Sequence, residues 1–493
     1  MKEQSKLSKV LSILLSVVLV VSSFYLLYQV IRLNVLPSKF LFPLTIGVVV
    51  LDAIFILLLI YFSKNVVSKI ICVVLTLLVC AASCFGGYYI SKTKSALSNI
   101  TNVAKHAKNT VSVIVKESSS IKNKSQLNGI SVGSLRLNEQ GSKKALKELS
   151  SEGIVLNQTE YDSMTALLEA FYSGEVDSII INESSRSQIL DMEAYSNFDS
   201  NTRVVYQTSY KVKNNDSATS VSDITSKPFN VLISGSDTRG GFDENGRSDV
   251  IMIATVNPKT HTILLTSVPR DFYVTTACDA GDGCMQGALD KITHTGIHGT
   301  NTTKRTVEQL LGIEINYTFK VGFDTVTELV DVLGGVDVYV EPGYATTTSE
   351  FSVHEGVNHL NAQQALAFAR ERYSYTEGDR QRTKNQQQVL MGIVKEATKP
   401  SVITNYAAIM DTMANTFSTT MSNAEITDLI KYQLNNNPTW KMEQYMVDGT
   451  GDTLMCAELG DAASVMVPDQ STVKMAKDKI NAVLAGKSSE DVK

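Results

Sequence analysis

The chain has 493 residues, with 45 Lys or Arg against 50 Asp or Glu and a formal net charge of −5. This length exceeds that of one ordinary domain, so we predict two or three folded units. The slightly acidic balance disfavours a nucleic-acid-binding protein, which would carry a basic surface, and no nucleic-acid partner is expected. No cluster of Cys and His has the spacing of a structural zinc site.

Three apolar runs fill the amino-terminal part of the chain. Leu11–Ile31, Leu41–Phe62 and Ile70–Ile90 are each long enough to cross a hydrocarbon core of about 30 Å. A cleaved signal peptide would give one short apolar segment instead of three. Residues 1–92 are therefore predicted to form a three-helix transmembrane anchor.

Charged residues predict how this anchor is oriented. Lys2, Lys6 and Lys9 precede the first run, which favours a cytoplasmic amino terminus. Three crossings then make the chain a multi-pass protein of the cell membrane with an extracytoplasmic soluble part. Asp52 interrupts the second run, and an intramembrane acid is by default a functional candidate. The interpretation that we favour is a hydrogen bond from Asp52 to a hydroxyl group within the bundle.

The soluble part divides by composition. Residues 100–212 alternate β-rich runs with amphipathic stretches and predict a small accessory α/β domain. Residues 213–227, "KNNDSATSVSDITSK", are polar and lack aromatic side chains, which is typical of a linker. We predict the main domain over residues 228–470, followed by a carboxyl-terminal tail over residues 471–493.

The main domain mixes strands and helices. "FNVLISGSD" predicts a strand, and "VIMIATVNPKTHTILLTSVPRD" predicts two strands joined by a turn at Asn257–Thr260. "DTVTELVDVLGG" predicts a helix with Asp324 as its N-cap and Gly334 as its C-cap, followed by the strand "VDVYV". The order of elements favours an α/β fold in which a sheet is layered between helices, an α/β/α sandwich.

One short stretch, "FARERYSYTEGDRQRTKNQQQ", concentrates positive charge. In "ALAFARERY" the alternation predicts a strand that projects Arg370 and Arg372 from one face. The following "GDRQRTKNQQQVLMGIVKEA" predicts a helix with Asp379, Arg382 and Gln386 on one face. Guanidinium groups beside a helix start predict a site for a multiply charged anion such as pyrophosphate. The alternative is that these arginines form surface ion pairs with neighbouring acids.

Further polar residues stand at predicted strand ends, where α/β folds assemble their sites. Asp237 follows one strand, Arg247 and Asp249 open the next, and Arg270 follows a third. Asp237 and Asp249 together would suit Mg²⁺, which takes few protein ligands and uses substrate phosphates for the others. Each Asp alone is more often a cap or turn residue. Combined with the arginines, the two acids predict phosphoryl chemistry.

Six motifs in this order resemble the LytR–CpsA–Psr (LCP) family: "SGSD", "GRSDVIMI", "TSVPRDFYV", "DKITHTG", "LVDVLGGVDVYV" and "FARERY…GDRQRTKNQQ". The resemblance covers about Pro228 to Ala397, with a tail to about Pro468. The anchor and the extra domain further resemble capsule-associated, CpsA-type members from streptococci and related Gram-positive bacteria.

The resemblance implies a phosphotransferase that moves capsular or other wall polysaccharide from an undecaprenyl-pyrophosphate carrier to peptidoglycan, with Mg²⁺ or Mn²⁺ as cofactor and a hydrophobic pocket for the lipid. Capsule-synthesis proteins are further expected partners. The resemblance implies that Asp237 and Asp249 are metal ligands and that these two acids form a catalytic set with Arg270, Arg372 and Arg382. The implied pyrophosphate ligands are Arg247, Arg270, Arg370, Arg372, Arg382 and Gln386. The implied supporting residues are Asp379, Lys291 and His294.

Several alternatives stay open at this point. Water as acceptor would make the protein a polyprenyl-pyrophosphate phosphatase, and a non-enzymatic regulator or scaffold of capsule synthesis is a different class. The general base is not identified, because an Asp or His294 would serve. A Cys278–Cys284 disulfide in the loop "CDAGDGC" departs from the family pattern and is sterically reasonable, but the sequence does not establish it. Lys384 stands where close relatives carry arginine, and it lacks the guanidinium fork.

Overall fold

The computed structural model describes residues 6–62, 65–101, 106–136, 139–236, 244–279, 282, 284–399, 401–414 and 416–492. Two compact units make up the structure. The first contains Met1–Thr101, Val394–Ala414 and Ser422–Thr439, and the second contains Asn102–Ile393, Asn415–Met421 and Trp440–Lys493.

The first unit contains the three predicted apolar helices. They are α1 (Lys6–Leu33), α2 (Ser38–Leu57), which continues as a π-helical turn over Leu58–Phe62, and α3 (Val66–Thr101). Each is long and apolar enough to cross a membrane. Asp52 is 9% exposed and accepts a hydrogen bond from Ser23 Oγ at 2.8 Å. The expected pairing of this acid with a hydroxyl group inside the bundle is therefore confirmed.

The second unit begins with a five-stranded sheet of order β3-β2-β4-β1-β5. Its strands are β1 (His106–Lys116), β2 (Ser131–Leu135), β3 (Asn157–Tyr161), β4 (Ser178–Asn182) and β5 (Thr202–Lys213). Its helices are α4 (Glu139–Ser151), α5 (Met164–Ser173), α6 (Arg186–Asp191) and α7 (Phe198–Asn201). We call this sheet and its helices, residues 106–213, the accessory module. Its core includes Met164, Leu168 and Phe171 of α5, which are fully buried.

The main sheet has six strands in the order β16-β11-β6-β7-β8-β17, and short hairpins surround it. The strands after the accessory module are β6 (Phe229–Ser236), β7 (Ser248–Asn257), β8 (Thr262–Ser267), β9 (Tyr273–Thr275), β10 (Leu289–Lys291), β11 (Tyr317–Gly322), β12 (Val336–Val340), β13 (Thr346–Thr347), β14 (Ser352–Val353), β15 (Gly356–Leu360), β16 (Phe417–Thr419), β17 (Lys441–Met446), β18 (Gly449–Cys456) and β19 (Asp461–Pro468). The strands predicted from "FNVLISGSD" and from the two-strand run after it are confirmed as β6, β7 and β8.

Helices also follow the accessory module along the chain. They are α8 (Thr300–Leu311), α9 (Phe323–Leu333), α10 (Ala362–Arg370), α11 (Asp379–Ala397), α12 (Val402–Met413), α13 (Asn423–Asn436) and α14 (Gln470–Leu484); α12 and α13 belong to the first unit. Leu232 and Leu264 of the sheet share one buried core with Val473 and Ile480 of α14. The segment interpreted from sequence as a tail therefore contains a core helix. The α/β fold class is confirmed.

The prediction of a strand for "ALAFARERY" is wrong, because α10 covers this segment. Ala365, Phe368 and Ala369 are buried at the helical spacing of three and four residues. Asn361 caps the helix, since its side chain accepts from the backbone N–H of Gln364 while the Gln364 side chain accepts from that of Asn361. Arg370 and Arg372 therefore do not project from one strand face.

Two smaller predictions have mixed outcomes. Gly334 ends α9 in the left-handed conformation as predicted, at φ 82°, but the N-cap position is Gly322 and Asp324 lies in the first turn. Cys278 and Cys284 form a disulfide with Cα atoms 6.3 Å apart, which answers a question that the sequence left open. Residues 214–228, which connect β5 to β6, contain turns but no helix or strand.

Candidate active site

The topology of the main sheet brings three chain segments together at one end of its strands. Strand β7 is antiparallel to both β6 and β8, so its amino end lies beside their carboxyl ends. Arg247 and Asp249 stand at the amino end of β7, and Arg270 follows β8. Asp237, the remaining strand-end residue of the prediction, lies outside the described residues, immediately after β6.

Asp249 is the acid that contacts the other polar side chains at this end of the sheet. Its Oδ1 accepts a hydrogen bond from Arg270 Nη1 at 2.8 Å and one from Thr293 Oγ1 at 3.4 Å, and it lies 4.0 Å from Arg247 Nε. The side chains of Asp249, Arg247 and Arg270 are 9%, 10% and 14% exposed. These described contacts all involve Oδ1.

A buried hydroxyl network supports the amino end of β7. Ser248 Oγ lies 2.9 Å from Ser234 Oγ and 3.0 Å from Thr303 Oγ1, and Thr295 donates to Thr303 at 2.9 Å. Gly296 packs so closely that a Cβ there would approach the Ser248 backbone nitrogen to 2.6 Å. Only glycine fits this close approach. The packed network therefore fixes the backbone position of Ser248 and of Asp249, which follows it.

Helix α11 delivers Arg382 to the same place. The Gln387 side chain donates to the backbone oxygens of Leu265 in β8 and Tyr445 in β17, at 3.3 and 2.8 Å. Asn385 donates to Phe368 O at 3.0 Å. The buried amide side chains of Asn385 and Gln387 thus bind α11 to α10 and to two strands of the main sheet.

Positive charge crowds around Arg382. Burial lowers the pKa of its guanidinium, and the nearby Arg270 and Arg372 lower it further, while Asp379 and Asp249 oppose this shift. Arg382 Nη2 lies 2.6 Å from Asp379 Oδ1, but this contact lacks hydrogen-bond geometry. The charged groups that act on Arg382 come from β7, the end of β8, the loop after α10 and the start of α11.

Neighbouring acids compensate the positive charge of Arg270 better than that of Arg382. Burial alone lowers the pKa of its guanidinium, but Asp249 and Asp271, with a smaller contribution from Asp379, outweigh burial and raise that pKa. Lys291 Nζ lies 3.2 Å from Asp271 Oδ1, so the predicted supporting lysine contacts the acid next to Arg270. We call Arg247, Asp249, Arg270, Arg372, Asp379 and Arg382 the arginine site.

The arginine site contains buried donors without acceptors. Among the described residues, the Nε atoms of Arg247, Arg270 and Arg382 are buried and make no hydrogen bond. Buried polar groups in proteins are nearly always paired, so three unpaired donors at one place call for an absent acceptor. The Nε edge of a guanidinium binds two oxygens of a phosphate in parallel. Such a set of donors would suit an oxyanion.

The remaining predicted ligands differ in exposure. Arg372 donates from Nη2 to Tyr373 Oη at 2.6 Å, and its guanidinium lies 4.7 Å from the centre of that ring. Tyr373 is 85% exposed. Arg370 is exposed at the last residue of α10, and Gln386 is half-buried on α11.

His294 is turned towards a different cluster. Its Nδ1 lies 2.7 Å from Asp290 Oδ1, and both side chains are 4% exposed. Asp290 Oδ2 accepts from the backbone N–H of Glu458, whose carboxylate binds His298 Nε2 at 2.8 Å.

Lys384, the predicted departure from arginine, pairs instead with Glu341 at 3.2 Å.

The described residues contain no group of three or more His, Cys, Asp or Glu placed to hold a metal ion. Asp249, with Oδ2 outside the contacts above, and Asp379, whose buried Oδ1 accepts no hydrogen bond, are the carboxylates of the arginine site. Mg²⁺ commonly takes one or two carboxylates and completes its shell with water and phosphate oxygens. The donors present fit that mode of binding.

Sequence reasoning missed two contacts of the site. Thr293 donates to Asp249, and Asp191 of the accessory module accepts a hydrogen bond from Arg247 Nη1. Thr293 lies inside the quoted motif "DKITHTG", so its position was available from the sequence. Nothing in the sequence around Asp191 indicates its partner, which lies 56 residues away along the chain.

Comparison with known proteins places this arrangement in a family. Residues 194–482, more than half of the chain, match the LytR_cpsA_psr family. The chain is 31% identical over 241 residues to the polyisoprenyl-teichoic acid–peptidoglycan teichoic acid transferase TagU of Bacillus cereus (strain AH820), covering 48% of this chain and 76% of the relative. TagU of Bacillus subtilis (strain 168) is 35% identical over 196 residues, covering 40% and 60%.

Solved structures are also similar. Protein gbs0355 from Streptococcus agalactiae aligns with a TM-score of 0.45 and 25% identity, covering 53% of this chain and 89% of that one. B. subtilis TagU aligns with a TM-score of 0.40 and 28% identity, covering 52% and 97%. From the family match and the sequence identity to TagU, this chain is a member of the LytR–CpsA–Psr family.

Proposed function

We propose that this chain is a phosphotransferase that moves a capsular or other wall polysaccharide from an undecaprenyl-pyrophosphate carrier to peptidoglycan. The observation that carries the proposal is the arginine site, in which Arg247, Arg270 and Arg382 each hold a buried, unpaired Nε. The relatives named above as teichoic acid transferases support the same class of reaction on polyisoprenyl-linked polymers.

The chemistry follows from charge. An acceptor hydroxyl of peptidoglycan attacks the phosphorus that bears the glycan, the bond to the bridging oxygen breaks, and polyprenyl phosphate leaves. The hydroxyl proton passes to a base, for which Asp249 and Asp379 are the carboxylates of the described site. Negative charge grows on the bridging and non-bridging oxygens, and fixed guanidinium groups stabilise it through position and electrostatics.

A divalent cation belongs to the proposal. Asp249, with Asp237 outside the described residues, would hold Mg²⁺ or Mn²⁺, which when bound would neutralise part of the pyrophosphate charge. We expect chelation with EDTA to abolish transfer, and added Mg²⁺ or Mn²⁺ to restore it. Undiminished transfer in excess EDTA would contradict the role of the cation.

The anchor suits a lipid-linked substrate. We propose that α1, α2 and α3 span the cell membrane with the amino terminus in the cytoplasm, since Lys2 and Lys9 flank the first span. The soluble part is then extracytoplasmic, on the side where peptidoglycan is. Membrane attachment keeps the enzyme in the same layer as its polyprenyl carrier, and capsule-synthesis proteins are the expected neighbours.

The experiment uses the full chain in liposomes with a radiolabelled glycan on undecaprenyl pyrophosphate, with and without peptidoglycan. The proposal expects label to become insoluble with peptidoglycan and to stay lipid-linked without it. Release of soluble glycan phosphate in both conditions would show a phosphatase. Label that remains on the lipid in both conditions would favour a scaffold. Arg382→Ala serves as the inactive control.

A further inference from the structure

Among the described residues, an ion pair joins the accessory module to the arginine site. Asp191, the last residue of α6, accepts a hydrogen bond from Arg247 Nη1. Arg247 lies within residues 194–482, which match the family, whereas Asp191 lies outside them. A part of the chain beyond the family match thus supplies a partner of a site arginine.

Asp191 is held on a fixed support. Ile189 in the same helix is fully buried in the module core. Arg186 at its start pairs with Glu183 at 2.6 Å and Asp199 at 2.9 Å, and lies 5.4 Å from the centre of the Phe198 ring. An acid at a helix carboxyl end opposes the helix dipole, so Asp191 does not serve its own helix.

The hairpin of β18 and β19 binds the module to the site. Leu459 O accepts from Met164 N, and Asp461 Oδ2 accepts from Thr165 N, both at 2.9 Å. Further along the hairpin, Met466 N donates to Asp271 O at 2.8 Å, one residue from Arg270. The hairpin therefore contacts both α5 of the module and the backbone that carries Arg270.

We propose that Asp191 is a positioning residue for Arg247, so that the accessory module completes the arginine site. Asp191 holds Nη1, while Nε stays buried, without a hydrogen bond, and 4.0 Å from Asp249 Oδ1. The Nε edge, which binds two phosphate oxygens side by side, is thereby directed towards Asp249 and away from the module. The identity of the anion as a pyrophosphate rests on the function proposed above.

The test measures anion binding apart from transfer. Farnesyl pyrophosphate is titrated into the full chain in detergent for the wild type, Asp191→Ala, Asp191→Asn and the control Glu193→Gln, an exposed acid two residues away. We expect Asp191→Ala to weaken binding about tenfold, as for loss of a charged hydrogen bond. Asp191→Asn restores part of this loss because its amide oxygen still accepts from Nη1, and Glu193→Gln binds like the wild type.

A double substitution separates positioning from a general structural role. If Asp191 acts through Arg247, Asp191→Ala adds no further loss in an Arg247→Ala background. In glycan transfer, Asp191→Ala should raise KM more than it lowers kcat. Equal losses in both backgrounds, wild-type binding by Asp191→Ala, or tighter binding than the wild type, which would mean competition with the anion, each overturn the proposal.

The outcomes also distinguish this inference from the proposed function. If the wild type binds farnesyl pyrophosphate and Asp191→Ala weakens that binding, the positioning role holds even where no glycan reaches peptidoglycan. If the wild type does not bind the diphosphate at all, both the positioning role and the proposed function are overturned. Thermal unfolding of each variant, measured alongside, verifies that Asp191→Ala remains folded.

Discussion

Two buried arginines in one compact unit show opposite behaviour. Arg186 in the accessory module donates from Nε and Nη2 to Glu183 and from Nη1 to Asp199. Burial alone lowers its pKa, but these two acids outweigh burial and raise it. Arg382 in the arginine site is buried to a similar degree, with side chains 9% and 13% exposed, yet its pKa is lowered.

The two arginines differ in how far neighbouring acids compensate their positive charge. Arg186 carries a full set of acceptors, so its charge is part of the folded structure. Arg382 has an unpaired Nε and two arginines near it, so its charge is a cost in the unliganded protein. A buried cation that the fold neutralises only in part is suited to a ligand that completes the neutralisation. We therefore expect this residue type to serve stability in the accessory module and ligand binding in the arginine site.

The largest expected effect concerns Asp249 and Arg372 of the arginine site. Asp249→Ala and Arg372→Ala should each lower the rate of glycan transfer by about 100- to 1000-fold, because one preorganised charge-stabilising contact is lost. Initial rates in the liposome assay measure this, with Glu193→Gln as the unaffected control. Wild-type turnover by either variant would contradict the assignment of the site.

The compensated arginine should affect stability instead. Arg186→Ala leaves Glu183 and Asp199 without their cation, and we expect it to lower the free energy of unfolding by about 3 kcal/mol. Arg382→Ala removes a charge that burial disfavours and should change that free energy by no more than about 1 kcal/mol. Denaturant unfolding of the solubilised chain measures both. Equal destabilisation by the two substitutions would remove the distinction between them.

A bound anion should compensate the positive charge of Arg382 and thereby stabilise the folded protein. Pyrophosphate at about 100 times its dissociation constant should stabilise the wild type by about 2.7 kcal/mol, because it binds the folded state. The shift in melting temperature should vanish in Arg382→Ala and persist in Glu193→Gln. A shift of the same size in Arg382→Ala would place the anion elsewhere.

The smallest effect concerns another compensated pair, His298 and Glu458. Burial alone lowers the pKa of His298, but Glu458 outweighs burial and raises it. The stability from this pair is therefore complete below the ordinary histidine pKa of about 6.5 and is lost as pH rises through the raised value. We expect the advantage of the wild type over His298→Gln, about 1.5 kcal/mol, to shrink at alkaline pH. A pH-independent difference between their melting curves would refute this.

The sequence predicted those parts of the fold that local patterns specify. Strands β6 to β8 follow from continuous apolar runs with turns between them, and α11 follows from its helical spacing. The segment of α10 was mistaken for a strand because a short run of small and apolar residues satisfies both periods. The reciprocal capping of Asn361 and Gln364 was the signal that favoured a helix.

The site was predictable only in part. Its residue types and strand-end positions were visible, and the structure brings Arg247, Asp249, Arg270, Arg372 and Arg382 together as the anion hypothesis required. The pairing of Asp191 with Arg247 depends on how one folded sheet docks against another. No local pattern encodes such a contact, since it exists only after both sheets have formed.

The most direct measurement is a structure of the full chain with a bound polyprenyl pyrophosphate and Mg²⁺. The account predicts that the diphosphate oxygens lie within hydrogen-bond distance of the Nε atoms of Arg270 and Arg382, with the cation at Asp249. A diphosphate bound elsewhere, with those Nε atoms still unpaired, would contradict the account.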